Sequence, residues 1–248
     1  MSPFEVVTLG NGDAFTERRF NTSFLLRCDG ALLAIDCPDR YRAVLKSASE
    51  KSGLALRIEE IDDLILTHLH GDHVNGLEAV GFLKALVLKK RLRLWTTPEV
   101  AEEIWERRLV ASMGRLWDGT AFQSRRLEDY FDLRVLEWDR PNSIGPFEAS
   151  LRRTIHHIPT CALCVRAGGR TWGYSCDTAW DPSLIEWLSS ADLIDHETNH
   201  GPAHTAYKHL AALPQDLRSR MRLVHVPDGF DEDAANISVA AEGTARPV

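Results

Sequence analysis

Thr67-His68-Leu69-His70-Gly71-Asp72-His73 closes the short apolar run Leu64–Thr67. A run that apolar suits a strand buried on both faces, so the side chains after it emerge at a sheet edge rather than in a core. Three imidazoles and a carboxylate within six residues are a dense set of borderline N/O donors. Such donors suit zinc, with bonds of roughly 2.0–2.2 Å. A tight turn with further histidines downstream does not read as a histidine-rich surface loop.

Working outward, β-like runs alternate with helical ones. Phe4–Leu9 reads as a strand entering the loop Gly10-Asn11-Gly12-Asp13, and Ser23–Cys28 with Ala31–Asp36 as a hairpin turning at Asp29-Gly30. Helices are expected over Tyr41–Lys51, Gly76–Leu88, Pro98–Arg108, Pro182–Ser189 and Thr205–Leu213. Further strands are expected at Leu92–Thr96, Leu133–Glu137, Phe147–Thr154, Leu163–Ala167, Arg170–Ser175, Leu193–Asp195 and Arg222–Val226. With no linker between them, these elements imply one α/β domain over residues 1–230, with packed sheets and helices outside. Val110–Asp129 reads poorly, and Met113, Trp117 and Phe122 there are expected to pack against the domain. Residues 231–248, acidic and then small and polar, are expected to be a loosely ordered tail.

The chain has 248 residues, 44% hydrophobic and 26% charged, and a net charge of −7. That acidic balance argues against extended nucleic-acid binding, and Lys89-Lys90-Arg91-Leu92-Arg93 is too short to reverse it. Five cysteines, an odd number without a dense framework, point to reduced thiols and a cytoplasmic location. No secretory signal is read at the start; Arg27 and Asp29 interrupt the apolar run after Arg18-Arg19-Phe20. No apolar stretch approaches a membrane span.

His68-x-His70-x-Asp72-His73 resembles the HxHxDH signature of the metallo-β-lactamase superfamily, and the likeness extends along nearly the whole chain. Gly10-Asn11-Gly12-Asp13-Ala14 resembles that family's opening glycine-rich turn, and Asp36 its buried acidic residue. Tyr174-Ser175-Cys176-Asp177-Thr178 resembles the YSGDT of the ribonuclease Z branch, and Leu223-Val224-His225 its closing strand. His156, three residues before Pro159, resembles the third metal histidine, with His157 as its competitor. The resemblance implies a four-layer αββα sandwich and two divalent ions, zinc first, with manganese or iron as alternatives. His68, His70 and His156 would hold one ion, Asp72, His73 and His225 the other, with Asp177 between. Two cations about 3.5–4 Å apart need an anionic bridge, and the bound metal brings the pKa of water to ~7, supplying hydroxide.

In the same branch a histidine with a nearby glutamate serves the leaving group, which implies His204 held by Glu197. Asp72, His204 and Glu197 are thus the candidate catalytic residues. His156 and Asp177 are only 21 positions apart, spanned by a hairpin at Gly168-Gly169, so the arm that grips transfer RNA in bacterial relatives has no room. A metal-dependent hydrolase of a small phosphodiester, such as a cyclic nucleotide, is the resulting expectation. Hydrolysis of a lactone, thioester or amide is the alternative. Transfer-RNA 3′ processing, iron-dependent redox chemistry and a non-catalytic binding module rank lower. A homodimer would be ordinary for this branch. Cys161-x-x-Cys164 lacks a second pair, and Cys176, standing where glycine is usual, is read as space-filling.

Overall fold

The computed structural model describes residues 3–248. Its strands are β1 (Glu5–Gly10), β2 (Ser23–Cys28), β3 (Ala31–Ile35), β4 (Asp63–Leu66), β5 (Leu92–Thr96), β6 (Arg115–Trp117), β7 (Phe122–Ser124) and β8 (Phe131–Val135). The second half adds β9 (Asn142–Ile144), β10 (Phe147–Arg153), β11 (Cys161–Ala167), β12 (Arg170–Tyr174), β13 (Leu193–Glu197), β14 (Met221–Val224) and β15 (Thr244–Pro247). One sheet runs β15-β1-β2-β3-β4-β5-β8 and the other β14-β13-β12-β11-β10-β9.

Strand alternation explains the layering. In β2, Phe24 and Leu26 face the second sheet and Leu25 faces the helices; in β3, Leu33 and Ile35 oppose Ala34 in the same way. Across the middle layer they meet Leu163, Val165, Trp172 and Tyr174, with Phe24 edge-on to both aromatic rings at 5.0 Å. Outside the first sheet lie the helices Tyr41–Ser52 and Leu77–Phe82; outside the second lie Pro182–Leu188 and Tyr207–Ala211. The result is the four-layer αββα sandwich of the metallo-β-lactamase fold.

The parallel segments matter most for the site. β3, β4, β5 and β8 run parallel, as do β12, β13 and β14, and parallel sheets gather ligands outside the carboxyl ends of their strands. Val226 N–H donates to the Asn11 carbonyl at 3.0 Å, tying the two sheets together at that end.

Three differences from the sequence reading have simple causes. The helices at Leu77 and Pro98 each pass into a π-turn, Leu83–Val87 and Trp105–Leu109, which periodicity cannot reveal. In the unread segment Met113 is buried as expected, but Trp117 and Phe122 stand 58% and 69% exposed on the β6–β7 ribbon. A two-stranded ribbon has no third layer to cover them, so they pack on each other at 5.2 Å. The C-terminal segment is docked rather than loose. Ile237 and Ala240 are buried, and β15 pairs antiparallel with β1 from Glu5–Pro247 to Thr8–Thr244. Among the described residues no helix is long and apolar enough to cross a membrane.

Candidate metal centre

β4 ends at Leu66, and the next seven residues turn into the short helix Gly71–Val74. Asp36, at the end of β3, organises that turn. It accepts hydrogen bonds from Thr67 N–H and the Thr67 hydroxyl at 2.9 Å, and its Oδ2 holds His73 Nδ1 at 2.8 Å. His73 Nε2 is thereby aimed the other way, towards Asp177 Oδ1 at 3.5 Å and Asp72 Oδ2 at 3.4 Å. Thr67 also reaches His68 Nδ1 at 3.0 Å, and Cys176 Sγ approaches that nitrogen at 3.7 Å. His156 Nδ1 donates to the Ala203 carbonyl at 3.1 Å, leaving Nε2 facing His70.

Two four-residue donor sets result among the described residues, each with its ligating atoms within 4.8 Å of one another. His68, His70, His156 and Asp177 form one; Asp72, His73, Asp177 and His225 form the other. Asp177 is common to both. His157 stands in neither; its ring lies 6.3 Å from that of His70. Buried His68 Nε2, His73 Nε2 and Asp177 Oδ1 make no hydrogen bond. Buried polar atoms left without partners are costly, and converging lone pairs of this kind suit a cation.

The electrostatics agree. Burial drives His68 well below its ordinary value and takes His156 down to about 4, so both offer neutral lone pairs. Around the other set, burial is outweighed by carboxylates. Asp72, Asp177 and Asp36 hold His73 well above its usual range, and Asp177 with Asp72 raises His225 to about 9. Burial opposes ionisation of Asp177, yet the neighbouring imidazoles of His225, His73 and His68 keep it well below the carboxylate range. Positive charge is what this cluster stabilises.

Three non-glycine residues here occupy the left-handed backbone region: Asp36, Cys176 and His225, with φ of 61°, 50° and 55°. Each costs on the order of 1 kcal/mol or more, and such strain gathers at functional sites. The Cys176 side chain is wholly buried, its Sγ 3.7 Å from His68 Nδ1.

His204 lies next to the cluster, its ring 5.2 Å from those of both His156 and His225. Its Nδ1–H donates to buried Glu197 Oε1 at 3.1 Å, and the same oxygen accepts from the Thr178 and Thr205 N–H groups. Burial opposes charging of His204, but Glu197 outweighs it and the imidazole is shifted upward. His204, His225 and Asp177, together with Phe15, His157 and Asn199, line a cavity of about 340 Å³. Sequence reasoning missed Asn199, whose amide donates to Asp13 Oδ2 at 3.0 Å and lies 3.4 Å from His225 Nδ1. Its only signal was its place two residues after β13.

The family profile described as "Anti-Pycsar protein Apyc1" matches residues 4–243. A protein of that name from Paenibacillus sp. (strain J14) is 30% identical over 230 residues, covering 90% of this chain and 89% of the relative. A cGMP-dependent 3′,5′-cGMP phosphodiesterase A of Dictyostelium discoideum is 26% identical over 98% of this chain and 28% of its own length. Among solved structures, the metallo-β-lactamase fold protein YhfI from Bacillus subtilis superposes with a TM-score of 0.79 at 18% identity, over 99% of both chains.

Proposed function

The chain belongs to the Anti-Pycsar protein Apyc1 family, and from that premise we propose that it hydrolyses 3′,5′-cyclic nucleotides with the help of divalent cations. One observation carries this reading: Asp177 is shared by two donor sets, directly beside the His204–Glu197 pair. His68, His70 and His156 would hold one cation and Asp72, His73 and His225 a second, with Asp177 in reach of both. Histidine and carboxylate donors favour zinc. When bound, the cations supply Lewis acidity and hydroxide at neutral pH. Asp72 Oδ2 and His225 Nε2 lie 3.2 Å apart, converging as two ligands of one cation would. Hydrolysis breaks one P–O bond of the ring, and the departing alkoxide needs a proton. With Nδ1 committed to Glu197, His204 delivers that proton from Nε2. Reduced thiols at Cys37, Cys161, Cys164 and Cys176 support a cytoplasmic assignment.

The test uses zinc- or manganese-loaded protein on cyclic GMP and on bis-p-nitrophenyl phosphate. Asp177→Ala abolishes both activities. His204→Ala lowers kcat on the cyclic nucleotide by about 10²–10⁴-fold, a typical range for a general acid. It has far less effect on the nitrophenyl ester, whose leaving group departs without a proton. Metal-loaded wild type that ignored cyclic nucleotides but cleaved lactones or thioesters would overturn the reading.

A further inference from the structure

Phe15 is the one aromatic residue of the Phe, Tyr and Trp class among the residues lining the cavity beside the metal centre, and it is 89% exposed. Six other large apolar side chains are exposed among the described residues, Trp117 and Phe122 included, but none of them lines this cavity. The turn that carries it is firmly held. Phe15 N–H donates to Asp13 Oδ1 at 3.0 Å, and Asn21 donates to the Asp13 carbonyl at 2.6 Å. On the other side, Thr16 Oγ1 and Glu17 N–H both donate to the Asp228 carboxylate, at 2.5 and 2.7 Å. A bare ring on a pinned turn is a preorganised surface rather than a loose end.

The cavity's side-chain amide is already engaged. Asn199 donates to Asp13 and its Oδ1 accepts from His200 N–H, so it has little left for the edge of a base. A planar ligand at this rim is therefore gripped by its face. In a cyclic nucleotide the phosphodiester belongs at the cation-seeking cluster, and the base is the planar group farthest from it. Resting on the cyclic-nucleotide reading above, we propose that Phe15 is the stacking platform for the nucleobase and so a substrate-binding residue of this site.

The experiment compares wild type, Phe15→Ala and Phe15→Tyr, all metal-loaded. Calorimetry measures binding of a hydrolysis-resistant cyclic nucleotide phosphorothioate. Kinetics are measured on an adenine and a uracil cyclic nucleotide, and on the base-free methyl riboside 3,5-cyclic phosphate. Removing a stacking ring costs about fivefold to about a hundredfold in affinity. Phe15→Ala is thus expected to raise Kd and KM by that factor for both nucleotides, leave the base-free ester unchanged, and keep the wild-type Tm. Phe15→Tyr should stay close to wild type. Wild-type affinity in Phe15→Ala, or an equal loss on the base-free ester, overturns the proposal while leaving the cyclic-nucleotide reading intact. A wild type that cleaves bis-p-nitrophenyl phosphate yet neither binds nor cleaves cyclic nucleotides overturns both.

Discussion

Asp36 touches no substrate-facing atom, yet it holds Thr67 and His73 in place at once. Partners of this kind fix the tautomer and direction of a ligand imidazole, and losing them typically costs about 10–100-fold in metal affinity. Asp36→Asn is therefore expected to weaken zinc binding by that factor, as read by competition with a chromophoric chelator, with the fold retained. A second residue governs behaviour in acid. Burial lowers His196 to about 4, while the same side chain in the unfolded chain titrates near 6.5. Between those values the unfolded state binds more protons, so the histidine penalises folding as pH falls through this window. Metal-free wild type should lose about 2 kcal/mol between pH 7 and pH 5 relative to His196→Gln, measured by urea unfolding. Equal pH dependence in the two proteins would refute the assignment.

At the level of elements, the edge of the first sheet rests on the end of the chain. β15 covers β1, and Gly243 and Val248 donate backbone hydrogen bonds to Thr8 and Phe4. Uncovered, β1 would present unpaired backbone groups to any passing strand. Truncation after residue 243 is expected to lower Tm by at least about 4 °C and to raise self-association in light scattering. Composition hid this strand, because Thr244–Pro247 is polar and its identity lies in register with β1. By contrast β2, β3 and β4 were legible, because burial on both faces demands apolar residues at nearly every position. The β6–β7 ribbon was not, since its short strands alternate nothing against a core.

For the whole molecule, the donors of the two sets together follow the ends of β4, β10, β12 and β14, over a hundred residues apart in sequence. Cation binding should therefore staple both sheets together. Zinc at about 1,000 times its Kd stabilises the native state by ~4 kcal/mol, so chelation is expected to lower Tm by roughly 8–16 °C in scanning calorimetry. Asp177→Asn should lose most of that difference. The sequence by itself, through its resemblance to a known family, determined the fold class, and it proposed the histidines and carboxylates that the structure brings together. It could not separate His156 from His157, since neighbours on one chain differ only in where their rings point. Nor could it place Asn199 and Phe15 at the same cavity, with Asp13 bonded to both. Those relations arise only when the two sheets pack face to face and the Gly10–Phe15 turn closes over their carboxyl ends, a matter of distance in space that no local pattern encodes.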